Sequence, residues 1–261
     1  QLTWSETENI AWKVEIPGLG HSSPVIWEDK LFLTTAVPTT GSTGQTGSGQ
    51  GGFGQGATGD QPEHRLVVLC LDKRTGKKIW ERTANTVKPH EGYHRRYGSY
   101  ASNSPVTDGK RLYTFFGSRG LYTYDLDGKL LWQRESPIRM QMRNAFGEGT
   151  VLVLDGDTLL ANFDHEGDSF LMALDAASGK TRWKVDRDEP SNWSAPLVLE
   201  HGGVRQVIVA APNRVRSYQL KDGALIWECG GLGLNTIPAP VHANGIVYVM
   251  SGFRDPNLLA I

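Results

Sequence analysis

The chain has 261 residues, 39% of them hydrophobic, with 31 glycines and a formal net charge of −1. A nearly neutral chain projects no long-range field toward nucleic acid or anionic lipid, and no apolar run reaches the roughly 20 residues that a membrane helix needs. This composition suits one large all-β domain better than a disordered chain.

Residues 10–16 (IAWKVEI) alternate like a strand and carry Trp12, with no apolar strand before them to complete a hairpin. They read as an orphan outer strand. It either pairs with the last strands of the chain and closes a ring, or hangs on an incomplete edge of a longer chain; we expect the second. A first repeat opens at Ser23-Pro24-Val25, with strands predicted at 25–27, 30–35, 65–71 and 78–82. Between its second and third strands lie residues 41–59, nine of whose nineteen positions are Gly. Such a segment cannot form a core and is expected to be a mobile surface loop.

The end of this repeat, residues 69–80 (LCLDKRTGKKIW), recurs at 122–132 (YTYDLDGKLLW), 172–183 (MALDAASGKTRW) and 217–227 (SYQLKDGALIW). Each copy has its Trp four residues after a Gly. Physically the unit is a hairpin: an apolar strand, a turn in which Gly76, Gly128, Gly179 or Gly223 takes positive φ, and a second strand ending in Trp. Asp72, Asp125, Asp175 and Asp222 are placed to bond turn amides. Four large aromatic anchors at one structural position imply sheets stacked radially, each burying a face on the next. That architecture is a β-propeller of four-stranded antiparallel blades.

The second repeat opens at Ser104-Pro105-Val106 and closes at Trp132. The third replaces Ser-Pro-Val with Gly149-Thr150-Val151, where its inner strand is expected, before strands near 158–164, 169–175 and 181–185. The fourth runs from Ala195-Pro196-Leu197 to Trp227, and a fifth begins at Ala239-Pro240-Val241 without reaching a Gly-plus-Trp hairpin. About five blades are therefore present, read as a single domain that belongs to a seven- or eight-bladed ring. Blades of roughly forty residues fit known propeller repeats.

The pattern Asp-x-x-Thr/Ser-Gly-Lys-x-x-Trp, best seen at residues 72–80 and 175–183, resembles the pyrroloquinoline quinone (PQQ) repeat. Proteins with such repeats include quinoprotein alcohol dehydrogenases and non-enzymatic propellers such as lipoprotein B of the outer-membrane β-barrel assembly machinery. Residues 2–27 and 99–106 (SYASNSPV) further resemble exported bacterial PQQ-like propellers. That resemblance implies a periplasmic or secreted protein, trimmed at both ends here; our own reading of its role is non-enzymatic binding or scaffolding. Quinoprotein dehydrogenases hold PQQ against an adjacent-cysteine disulfide, with Ca²⁺ beside it and an Asp as base. This chain has Cys70 and Cys229 but no Cys-Cys pair, so no cofactor is expected, with PQQ and Ca²⁺ as the alternative.

No catalytic constellation and no metal set emerges from spacing. His90 and His94 lack the H-E-x-x-H order, and Asp155, Asp157, Asp164, Glu166 and Asp168 straddle a strand without the order of a calcium loop. A binding site is predicted instead on the connections between blades. From Trp12, Trp183 and Trp227 to the Pro that opens the next repeat the chain spans 12, 13 and 13 residues, but from Trp80 to Pro105 it spans 25. The excess contains His90, His94, Arg95, Arg96, Tyr97 and Tyr100. Neighbouring connections add Arg139, Arg143, Asn144, Asn192, Trp193 and Asn235. Together these groups suit a protein surface or a small anionic or carbohydrate ligand.

Overall fold

The computed structural model describes residues 3–5, 7–40, 61–252 and 255–261. The Gly-rich stretch 41–59 lies outside them. Blade 1 comprises β1 (Val25–Trp27), β2 (Lys30–Pro38), β3 (His64–Asp72) and β4 (Lys78–Val87). Blade 2 comprises β5 (Val106–Thr107), β6 (Arg111–Phe115), β7 (Leu121–Asp125) and β8 (Leu130–Arg134). Blade 3 is β9 (Val153–Asp155), β10 (Thr158–Phe163), β11 (Ser169–Asp175) and β12 (Thr181–Arg187). Blade 4 is β13 (Leu197–His201), β14 (Val204–Val209), β15 (Val215–Gln219) and β16 (Leu225–Cys229). A fifth sheet has three strands, β17 (Val241–Ala243), β18 (Ile246–Met250) and β19 (Leu258–Ala260).

Every sheet is an antiparallel meander in chain order. The inner strands β1, β5, β9 and β13 neighbour one another in turn, as a propeller requires. Middle strands are apolar on both faces; β10 is buried along its whole length. Outer strands such as β12 alternate, with Trp183 inward and Thr181, Arg182 and Lys184 outward. Each of the four interfaces between successive blades holds its own apolar cluster, for example Phe32, Leu66, Trp80, Leu112 and Tyr124 between blades 1 and 2. Between blades 3 and 4 the cluster is built on Leu160, Leu171, Trp183, Val207 and Tyr218.

The repeated hairpin does more than turn the chain. In blades 1 to 4 a register shift follows the residue paired with the Trp, after Cys70, Thr123, Ala173 and Ser217. Such a bulge re-aims the side chains beside it. Trp80, Trp132 and Trp183 then reach onto the hairpin turn of the following blade, where their Nε1–H groups donate to the carbonyls of Leu126, Ala176 and Leu220 at 3.1, 3.2 and 2.8 Å. The receiving turn must be glycine. A Cβ on Gly179 would lie 2.7 Å from the Trp132 ring, and one on Gly128 2.8 Å from Trp80. Two residues beyond the indole, Arg82 and Arg134 add bonds to the carbonyls of these same glycines.

One expectation is corrected. Residues 10–16 form no strand and pair with no part of β19, which has no fourth strand beside it among the described residues; Trp12 holds them at the hairpin turn of blade 1 instead. Trp12 takes the repeated seat there: its Nε1 donates to the Lys73 carbonyl at 3.0 Å, and its ring covers Gly76. The inner strand of blade 3 is Val153–Asp155, beginning two residues beyond the Gly149-Thr150-Val151 opening. Gly149 and Thr150 belong to the preceding connection, and Asp155-Gly156-Asp157-Thr158 makes the tight turn that sets the pairing of Leu159 with Leu154.

Candidate functional site

A meander puts the connections between blades and the loops joining second to third strands at one end of the propeller. The short turns, including the Trp-receiving ones, lie at the other. The acidic run is divided accordingly. Asp155 pairs with Arg205 and Asp157 with Arg182 at the turn end. Asp164 and Glu166 stand at the loop end, paired with Arg187 and Arg143.

At the loop end the long connection 88–105 is anchored from beneath. Tyr100 is buried, its hydroxyl donates to the Glu91 carbonyl at 3.1 Å, and its ring meets Tyr93 and His64 edge-on at 4.8 and 4.9 Å. The His94 amide donates to the Phe146 carbonyl at 2.9 Å, tying this loop to the connection 135–152. His94 does not join His90. Its Nδ1 accepts from the Arg96 and Tyr97 amides, and its ring stacks on Tyr97 at 4.9 Å. Arg96 lies over the Tyr97 ring, 5.3 Å from its centre, and Tyr97 is 65% exposed. Arg95, Arg96 and Arg139 are exposed.

The other predicted residues are largely occupied in holding loops together. Arg143 Nε bonds Glu166 at 3.1 Å and its amide donates to Ser191 at 2.8 Å, while Asn144 is exposed with φ of 53°. Trp193 Nε1 donates to the Gly147 carbonyl at 2.9 Å, and its amide donates to Thr236 of the next connection. Asn192 is fully buried, donating to Asp164 and to the Ala210 carbonyl at 2.9 and 2.8 Å. Asn235, at φ of 59°, has a buried Oδ1 without a partner.

Spacing missed the groups on which these loops converge. Glu148 is buried, and its carboxylate accepts from Arg119 Nη1 at 2.9 Å and from the Ser118 amide. Gly117, at φ of 58°, is required beside it, since a Cβ there would fall 1.5 Å from Glu148 Oε2. The Nε and Nη2 of Arg119, side chain 7% exposed, have no partner, and its guanidinium lies 5.2 Å from the Tyr100 ring. Glu91 accepts from the Met142 amide at 3.1 and 3.3 Å. His90, Glu91 and Glu148 each bring a ligand atom within 4.8 Å of the other two. The available signal was Glu148 itself, an acid between Gly147 and Gly149 with no turn of its own to cap.

Burial, aided by the neighbouring Glu148 carboxylate and opposed by the Met142 amide, pushes Glu91 up to about 7. The folded protein therefore holds this proton where the unfolded chain has released it. Stability from this group is complete below the ordinary glutamate range and is lost as pH rises through the raised value. Urea midpoints should fall between about pH 5 and about pH 8, and fall less in Glu91→Gln. Equal pH dependence in the two proteins would remove Glu91 as the cause.

The blades and their repeated Trp hairpins define a PQQ-like β-propeller. The sequence pattern of the family described as outer membrane protein assembly factor BamB matches residues 64–251, and the chain belongs to that family. A curated relative, the lanthanide-dependent methanol dehydrogenase of Methylorubrum extorquens, is 27% identical over 169 residues, covering 59% of this chain and 26% of that protein. The chain thus spans about a quarter of that relative's length. A solved europium-containing methanol dehydrogenase aligns with a TM-score of 0.59 at 14% identity, over 90% of this chain and 51% of its own. The quinohemoprotein alcohol dehydrogenase of Comamonas testosteroni gives 0.54 at 10% identity, over 94% and 41%. These likenesses concern the fold.

The cluster at His90 does not fit the hard cation that accompanies a quinone. Calcium-type ions take about 6–8 oxygen ligands, whereas the cluster at His90 offers two carboxylates and a ring nitrogen. Cys70 and Cys229 are separate free thiols. Cys70 is packed in the core, where burial pushes it up to about 11.

Proposed function

We propose that this chain is a non-enzymatic, extracytoplasmic binding propeller whose loop end docks a protein partner. One observation carries the reading. The 88–105 connection is immobilised from below by Tyr100, Glu91 and the Phe146 carbonyl, yet displays the His94–Tyr97–Arg96 stack and Arg95 to solvent. Aromatic and arginine side chains on a pre-ordered base are the groups that dominate protein interfaces. The family description, an assembly factor, agrees with such a role.

The combined variant Arg95→Ala, Arg96→Ala, Tyr97→Ala should weaken capture of the partner by about tenfold or more. Its stability should move by only about 0.5 kcal/mol, because these side chains are exposed. Quantitative pull-down from envelope extracts, with a denaturation curve of the same sample, measures both. Unchanged capture by the folded variant would refute the site. The curated relative favours a second reading, a PQQ-dependent oxidoreductase. Dye-linked alcohol oxidation on adding PQQ with Ca²⁺ or a lanthanide would put that reading first.

A further inference from the structure

We propose that His90, Glu91 and Glu148 form a binding site for a small divalent cation of the Zn²⁺ or Mn²⁺ type. Its ligand side chains are not those displayed on the docking surface, and it requires no quinone. Three ligand atoms within 4.8 Å of one another, drawn from two different connections, are spaced to surround one ion. A mixed set of one imidazole and two carboxylates suits Zn²⁺ and Mn²⁺, while Ca²⁺ and Mg²⁺ prefer oxygen alone.

Two further features prepare the side chains for this role. A carbonyl oxygen only accepts, so the 2.7 Å contact between His90 Nε2 and the Met140 carbonyl fixes the ring proton on Nε2. The lone pair is thereby left on Nδ1. A histidine ligand that donates its other N–H to a backbone carbonyl is the usual way of orienting such a ring, and backbone amides do the same for the carboxylates. Here Glu91 is held by the Met142 amide, and Glu148 by the Ser118 amide and Arg119.

Charge permits the ion. With an ion bound, the two carboxylates together balance the two charges of the dication, and Arg119 is held on the Glu148 carboxylate. Arg119 adds a second indication. Its Nε and Nη2 are buried without partners on a side chain already bonded to Glu148. Two buried donors without partners on the residue that holds Glu148 are available to an oxygen brought in with the ion, such as water or a carboxylate from solution. The cation would join the 88–105 connection to the 135–152 connection, which the Met142 amide already ties to Glu91.

Isothermal titration of the chelator-treated chain with ZnCl₂, MnCl₂, CaCl₂ and MgCl₂ tests the proposal. One Zn²⁺ or Mn²⁺ should bind per chain, with Ca²⁺ and Mg²⁺ weaker by about tenfold or more. His90→Ala and Glu91→Gln should each weaken the preferred ion by about tenfold or more. His90 is exposed, so its variant is expected to remain folded, which circular dichroism checks. Glu148→Gln also removes the partner of Arg119 and is read only where the thermal transition persists. Absence of binding, retention of full affinity in folded His90→Ala, or a preference for Ca²⁺ or Mg²⁺ would each overturn the assignment.

Discussion

Replacing Arg187 with methionine should lower the free energy of unfolding by about 3–5 kcal/mol. The side chains of Arg187 and Asp164 are both completely inaccessible, joined by bonds of 2.8 and 3.1 Å. The guanidinium also donates to the Tyr218 hydroxyl at 2.7 Å, and Asn162 and Asn192 donate to the same carboxylate. The network spans the interface of blades 3 and 4 and carries the connection 188–196. Removing only the cation leaves a carboxylate in the core with amide partners alone, which is the costly half of breaking a buried pair. Replacing both members, Arg187→Met with Asp164→Leu, should cost less than the sum of the two single changes. Guanidinium denaturation of the four proteins measures this. A loss below about 1 kcal/mol in Arg187→Met would mean that the pair adds little beyond packing.

Trp183→Ala should destabilise the protein by a similar amount, about 3–5 kcal/mol. The indole is buried against Leu160, Ala173, Val207 and Tyr218 and rests on the turn of blade 4. Its removal leaves a cavity between two sheets and frees the Leu220 carbonyl. Trp183→Phe separates the two effects, since most of the apolar area survives while the hydrogen bond, contributing about 0.5–1.5 kcal/mol, is lost. If Phe proves as damaging as Ala, the bond to Leu220 outweighs the packing. If both are mild, the indole is not what joins the blades.

The blade hairpins were legible because their requirements are local. Asp72 accepts from the amides of Arg74 and Thr75, and Gly76 closes the turn on the Asp72 carbonyl, all within five residues. The inner strand of blade 3 begins later than its opening suggests because Gly149-Thr150-Val151 imitates the Ser-Pro-Val opening by position alone. Residues 10–16 show period-2 alternation without being a strand, since alternation records a preference and pairing supplies the energy. The loop end was legible as a region and opaque in detail. Asn192 and Trp193 have the side chains of a ligand site yet hold the loops to their neighbours. His90, Glu91, Arg119 and Glu148 come from three segments, and no spacing rule joins a loop of blade 2 to the connections on either side of it.

The forward reach of the indoles has a consequence for how the protein is made. Each Trp docks on a turn that comes later in the chain, 46, 44 and 37 residues onward for Trp80, Trp132 and Trp183. During synthesis from the N-terminus a newly completed blade leaves the ribosome with its indole unsheltered. It stays so until the next hairpin emerges, about 2–9 seconds later at ordinary elongation rates of about 5–20 residues per second. Over that interval the growing end presents one wet tryptophan at a time, and the next blade to appear carries its cover. A pause while the Trp is outside the ribosome and its receiving turn is still inside would lengthen that exposure and invite chaperones or a neighbouring nascent chain. A pause after the receiving turn has emerged would be harmless.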